Sequence, residues 1–151
     1  MKVSVRIVLS ILVLLGLGFF RDYVFVNINY QLYKLYYADS ETQLPYLLRM
    51  LEDFNYSQLY YFKYVLTGFF LLLYVLSTLW CLNSCLPQRS NTKLIVSIFF
   101  TVTVFAGLLY FSGALFGNAA KGYQAARALL GFLQSPLPFM FLFPALLLRK
   151  N

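Results

Sequence analysis

The chain has 151 residues, 61% of them hydrophobic and only 11% charged, with 12 Lys and Arg against 5 Asp and Glu and a net charge of +7. Soluble domains carry roughly 25% charged residues, so this composition excludes an ordinary water-soluble domain and points to a single membrane domain over 1–151. The absence of His removes Ser/His and Cys/His nucleophile pairs and the commonest metal ligand.

Four apolar stretches organise the sequence: 3–20, 64–82, 94–116 and 128–148. The last three contain no charged residue, and the first contains only Arg6. A hydrocarbon core about 30 Å thick needs roughly 20 apolar residues in a helix. Spans are therefore expected at about 3–20, 58–82, 93–116 and 126–148, with an outer segment at 21–57. The expected fold is an all-α polytopic membrane protein with four transmembrane helices and short interfacial helices between spans one and two.

The first stretch has a basic start, but bulky Phe19 and Phe20 follow Gly16 and Gly18, and no A-x-A site is present. It is expected to stay as a helix, with Arg6 reaching back to the headgroups. The outer segment is crowded with Tyr23, Tyr30, Tyr33, Tyr36, Tyr37, Tyr46 and Tyr56. A tyrosine ring is apolar and its hydroxyl seeks water, which suits a membrane interface. Ile28, Leu32, Leu35 and Tyr36 fall at helical spacing, predicting a helix that continues span one or lies along the surface. Ser40 and Gln43 match a capping box. Pro45 suits the first turn of a short helix over 45–53, with Leu47, Leu48 and Leu51 on one face.

Ser57 is a candidate N-cap for the second span. Residues 83–91, with Pro87, form a short connection, and Asn91 or Thr92 can cap the third span. An outer turn is expected at 117–122. In the fourth stretch Pro136, Pro138 and Pro144 each remove a backbone donor. Broken backbone inside a membrane needs protein or water to satisfy the freed carbonyls, so this span should be kinked and partly enclosed.

The charges are unevenly placed. All five acids, Asp22, Asp39, Glu41, Glu52 and Asp53, lie between spans one and two. Lys2, Arg6, Arg89, Lys93, Arg149 and Lys150 share the opposite side with no acid. Lys and Arg at span ends favour the cytoplasm, so both termini are expected there. The basic side is expected to meet anionic membrane lipids rather than nucleic acid.

Few residues suit chemistry. Cys81 and Cys85 are spaced C-x-x-x-C, not the C-x-x-C of thiol oxidoreductases, and lie at the expected cytoplasmic end. Packing is their expected role; a thiol redox enzyme would need both on the oxidising side. Two cysteines without His fall short of a four-ligand zinc site. No acid lies deep in a span, which argues against a carboxylate relay. No cofactor, no metal and no catalytic residue is expected.

Three constellations suit binding or packing. Arg21, Asp22, Lys63 and Arg127 form an outer-rim cluster able to hold an acidic headgroup, a peptide or a partner, or simply to anchor helix ends. Gln134, Ser135, Pro136, Leu137 and Pro138 place a polar pair beside a double-proline break, where half-helix ends expose carbonyls; a kink that packs internally is the plainer reading. Gly113-x-x-x-Gly117 is a close-packing motif for membrane helices, within one chain or between two.

Two segments carry a resemblance. The elbow Gly18-Phe-Phe-Arg-Asp-Tyr-Val-Phe-Val26, followed by the aromatic run at 30–37, is one. The tail Gly131-Phe-Leu-Gln-Ser-Pro-Leu-Pro-Phe-Met-Phe-Leu-Phe-Pro-Ala145 is the other. Together they resemble the small exosortase-system-associated membrane proteins of Bacteroidetes, over about a quarter of the chain. The sequence departs from that pattern at 24–29, where a Tyr-Asp-Pro run is more usual. The family's exosortase partner is a membrane transpeptidase using Cys, Arg and His, so the resemblance implies an accessory protein, not the enzyme, in a bacterial inner membrane.

Two functions follow as expectations. One is a non-catalytic accessory protein that docks another integral membrane protein through the aromatic elbow and the fourth span. The other is a small protein binding or transporting a lipid-like or apolar ligand. The second predicts an enclosed apolar cavity reached from the bilayer.

Overall fold

A computed structural model describes residues 3–37, 44–86 and 92–148. The first helix, α1 (Val3–Tyr36), does not stop at the end of the apolar stretch. It runs unbroken through the tyrosine-rich segment because no proline or glycine interrupts 19–36, and Ile28, Leu32 and Leu35 keep a helical apolar face. At 1.5 Å per residue its 34 residues rise about 51 Å, well beyond a hydrocarbon core of about 30 Å.

A 3-10 helix follows at Tyr46–Leu51, entered from Pro45 in an extended conformation. Only Leu48 and Leu51 are buried, whereas Leu47 is exposed. The expected trio is thus a pair, because three residues per turn stack positions i and i+3 and turn i−1 away. Of the interfacial helices expected here, this is the separate one; the other is the continuation of α1. The Ser40–Gln43 capping box lies outside the described residues, as does Asn91.

The second helix, α2 (Tyr56–Cys85), has 30 residues and a rise of about 45 Å. Its N-cap is Asn55 rather than Ser57: the Asn55 N–H donates to Gln58 Oε1 at 3.0 Å, half of a capping box. α1 and α2 pair antiparallel over nearly their full length. Arg6 Nη1 donates to Ser84 O at 3.0 Å, Tyr74 packs on Leu14, and Tyr36 meets the Tyr56 ring. Inward positions on α1 recur every three or four residues, through Ser10, Leu14, Val24, Ile28 and Gln31, the spacing of a two-helix seam. Arg6 also offers its charge to the carbonyl end of α2, where a cation is favourable.

The third helix, α3 (Thr92–Leu115), ends in a tight turn. The Asn118 N–H donates to Gly113 O at 2.8 Å and the Gly117 N–H donates to Ala114 O at 3.4 Å, the paired bonds of a Schellman cap. Gly117 takes φ 71°, which explains a glycine there. The outer turn is therefore only 116–118. Residues 119–122 instead open the fourth helix, α4 (Ala119–Leu133), because Ala-Ala-Lys is good helix-forming sequence. The fifth helix, α5 (Leu137–Leu148), follows after a bend of 57°.

α3 and α4 form the most extensive pairing in the molecule. A Cβ built on Gly113 would lie 2.5 Å from Gly122 Cα, so the two backbones are in direct contact. Gly113 thus packs within the chain, against Gly122. Gly117 does not take part: nothing lies within 4 Å of a Cβ built there, and its role is the turn.

Helices α1, α2 and α3 are each long and apolar enough to cross a membrane, and α4 with α5 makes a fourth, bent candidate. α4 rises about 22 Å, and α5, tilted by 57°, adds about 10 Å along the same direction. That matches one broken crossing. Leu142 and Leu146 of α5 belong to the same core cluster as Cys81, Cys85, Leu86 and Ile95 at the other end of the bundle. The fold is an all-α polytopic membrane protein. A second cluster, with Val24, Ile28, Leu48, Leu51 and Leu59, closes the tall end of the α1–α2 hairpin beneath the 3-10 helix.

Candidate functional site

Between the α1–α2 hairpin and the α3–α4 hairpin lies a cavity of about 600 Å³. It exists because the two hairpins are each tightly paired but meet only sparingly, through α2. Among the described residues α1 makes no extensive contact with α3 or α4. The space between α1 and the second hairpin is therefore the open side, and it faces the surroundings of the bundle.

Every helix that lines the cavity contributes polar and apolar groups. α1 supplies Arg21, Asp22, Phe25, Val26 and Asn29; α2 supplies Lys63, Tyr64 and Thr67. α3 supplies Thr103, Ala106, Gly107 and Tyr110; α4 supplies Tyr123, Ala126, Arg127, Leu130 and Gln134. The fold thus gathers Arg21, Asp22, Lys63, Arg127 and Gln134, which the sequence had offered as two separate groups, into one site.

The cations stand at two levels. Phe20 and Phe25, which flank Arg21, both meet the Phe70 ring, at 6.0 and 5.8 Å between centroids. Arg21 is therefore opposite Phe70, about 10 Å along the axis from Lys63, which is seven residues nearer the tall end. Arg127 stands about the same distance above Gln134 on α4. The lower cation is partnered: Arg21 Nη1 meets Asp22 Oδ1 at 3.3 Å, and its guanidinium lies 5.7 Å from the centre of the Phe25 ring. The upper pair, Lys63 and Arg127, has no acidic partner among the described residues.

Gln134 forms the floor and is only 2% exposed. Its Nε2 donates to Thr67 O at 2.9 Å. A backbone carbonyl can only accept, so this bond sets which way the amide points. Thr67 and Thr103 have their hydroxyl protons committed to Lys63 O at 2.9 Å and Phe99 O at 2.8 Å. Each turns a polar atom inward without carrying a free donor.

The rest of the proline break does different work. Ser135 Oγ donates to Phe132 O at 2.7 Å and accepts from the Leu137 N–H at 3.2 Å. Pro136 O accepts from the Met140 N–H at 3.1 Å, and Pro138 is buried in the first turn of α5. Ser135, Pro136 and Pro138 satisfy and pack the bend; none of them lines the cavity. Cys81 and Cys85 lie apart from it, buried against α1, where Ser10 Oγ sits 3.7 Å from Cys85 Sγ.

Thr67, Thr103, Gly107, Tyr110 and Tyr123 were not singled out from the sequence. A hydroxyl within an apolar span was the available signal for the two threonines. The small pair Ala106 and Gly107 carried the signal for a gap. Comparison with family models, with curated proteins and with solved structures returned no match.

Proposed function

We propose that this protein is a non-catalytic integral membrane protein that binds an anionic amphiphile. The head is held by Lys63 and Arg127, and the apolar part leaves through the open side between α1 and the α3–α4 hairpin. The observation that carries this reading is two cations without acidic partners among the described residues, in a cavity whose other walls mix Phe25, Val26, Ala106, Gly107, Ala126 and Leu130 with Tyr64, Tyr110 and Tyr123. Lys63 is half-buried while Arg127 is exposed; a partly desolvated cation attracts an anion more strongly than an exposed one does, and apolar and aromatic walls with a small number of charged groups are the usual make-up of a ligand site.

The accessory role that the resemblance implies is compatible with this reading, because holding or presenting a ligand needs no reacting group. We take both termini to be cytoplasmic and the membrane to be a bacterial inner membrane. The supporting feature is the acid-free basic set that includes Arg6 and Lys93 at the end of the bundle opposite the cavity. The cavity then opens in the outer leaflet.

Gly107 provides a direct test. It lines the cavity, and nothing lies within 4 Å of a Cβ built on it, so Gly107→Trp fills the space with little disturbance of packing. Purified protein in nanodiscs is titrated with a fluorescent phosphatidic acid and with its phosphatidylcholine counterpart. Wild-type protein is expected to prefer the anionic lipid by at least about tenfold, a difference of ~1.4 kcal/mol. Gly107→Trp and the double variant Lys63→Gln, Arg127→Gln should both lose that preference. Equal binding of the two lipids by the wild type sinks the proposal.

A further inference from the structure

Resting on that reading of the cavity, we infer that the anionic head is a phosphodiester whose second ester carries a saccharide. The saccharide lies along a row of tyrosine rings that starts at the cavity and climbs the tall end of the α1–α2 hairpin. The ligand class is a lipid-linked sugar phosphate.

The row is continuous. Tyr64 lines the cavity next to Lys63. Its hydroxyl donates to the Tyr60 hydroxyl at 2.8 Å, and the two rings meet edge to face with centroids 5.2 Å apart. Tyr60 stacks on Tyr56 at 6.1 Å, with 17° between the ring planes. Tyr56 meets Tyr36 at 6.1 Å, Tyr36 meets Tyr37 at 5.2 Å, and Tyr37 meets Tyr33 at 4.7 Å. All of these separations fall in the range of attractive ring pairs. From Tyr64 to Tyr56 the row rises about 12 Å along α2, and it then crosses to the end of α1.

Core packing does not explain the row. Each of the six rings is at least 40% exposed, and the core at this end is built by Ile28, Leu32 and Leu59 instead. An interfacial belt does not explain it either, since a belt encircles a protein at one depth and this row climbs. A glucose-type ring has the complementary make-up, with C–H groups on its faces and hydroxyls round its edge. The electron-rich face of an aromatic ring attracts polarised C–H groups, and a phenol hydroxyl both donates to and accepts from a sugar hydroxyl. Contacts between the rings hold them in place beforehand, which lowers the cost of ordering them on binding. The starting point also fits. A phosphate on Lys63 and Arg127, with its apolar ester leaving through the open side, has one ester left, and Tyr64 adjoins Lys63. With Lys63 at headgroup level, the rest of the row lies on the water side, where a saccharide is soluble.

The decisive ligands share one charge and one chain: dodecyl methyl phosphate, dodecyl glucosyl phosphate and dodecyl cellotriosyl phosphate. Their binding to wild-type protein is measured in phosphatidylcholine nanodiscs at equal mole fraction in the bilayer, because sugar-headed detergents would compete. The cellotriosyl ester is expected to bind at least about tenfold tighter than the methyl ester, with the glucosyl ester between them. The double variant Tyr36→Ala, Tyr37→Ala should remove most of the gain from the longer saccharide and leave the methyl ester unchanged. Lys63→Gln should weaken all of them and leave their ratios intact. Equal affinity of the esters for the wild type assigns the rings to the membrane interface and overturns the inference, while the anionic-amphiphile reading stands. A full saccharide gain in the tyrosine variant overturns it in the same way. Binding of the methyl ester no tighter than dodecanol overturns both. Free cellotriose is the last arm: if it binds as tightly as the cellotriosyl ester, the apolar part contributes nothing and a lipid-linked ligand is excluded. Tyr36 and Tyr37 are exposed, so their truncation leaves the core intact, and the wild-type comparison stands without it.

Discussion

The two hairpins solve the same problem in opposite ways. In α3–α4 the backbones touch at Gly113 and Gly122, with no side chain between them. In α1–α2 the partners are kept apart by large groups: Leu14, Ile28, Phe70 and Tyr74 are all essentially without exposure. The first arrangement is what lipid favours, since hydrocarbon gives no hydrophobic reward for burying a leucine, and close approach supplies the attraction instead. The second is longer than a hydrocarbon core by about 20 Å, and burial is rewarded again wherever that excess length meets water. Unequal hairpins of this kind cannot mesh along their whole length, and the cavity is the space they leave.

Breaking the tall end should have the largest effect. Leu59 is fully buried beneath the 3-10 helix, and Leu59→Ala is expected to cost about 2–5 kcal/mol, the usual range for a truncated core leucine. Leu82 is equally buried but lies within an apolar span. Leu82→Ala should cost less, because only the cavity and packing losses apply there. Denaturant unfolding in detergent, followed by tryptophan fluorescence, measures both; equal losses at the two sites would erase the distinction between the hairpin's two environments.

Next in size is the glycine contact. Gly122→Ala places a methyl 2.8 Å from Gly113 Cα, and backbone cannot swing aside as a side chain can. A loss of about 1–3 kcal/mol is expected, together with separation of α3 from α4 detectable as a longer spin-label distance across the pair. The smallest effect sharpens the contrast. At Gly68, on α2, nothing lies within 4 Å of an added Cβ, so Gly68→Ala should be neutral or stabilising by up to about 1 kcal/mol through helix propensity alone. If Gly68→Ala destabilised as much as Gly122→Ala, close backbone approach would not be what holds the second hairpin.

Much of this was legible in the chain. Long uncharged runs show where helices cross, because a peptide group in hydrocarbon must bond within its own helix. The prolines after Gln134 announced a break, and the bend stands at 134–136, capped by Ser135. Less legible was the length of each element. Residues 21–36 read equally well as a continuation of α1 or as a separate surface helix, since both need the same apolar spacing. Residues 117–122, with a glycine at each end, read as one turn, yet 119–122 are helical and Gly122 is a packing surface.

What the amino-acid order determined by itself is the membrane habitat, the helical class and the polar residues available for a site, because these follow from local solvation and from charge. Tertiary structure alone decided that Arg21, Lys63, Arg127 and Gln134 line one cavity. Their convergence depends on which helices press together at glycine and which are held apart by aromatic bulk, and that is set by the shapes of surfaces far apart in sequence.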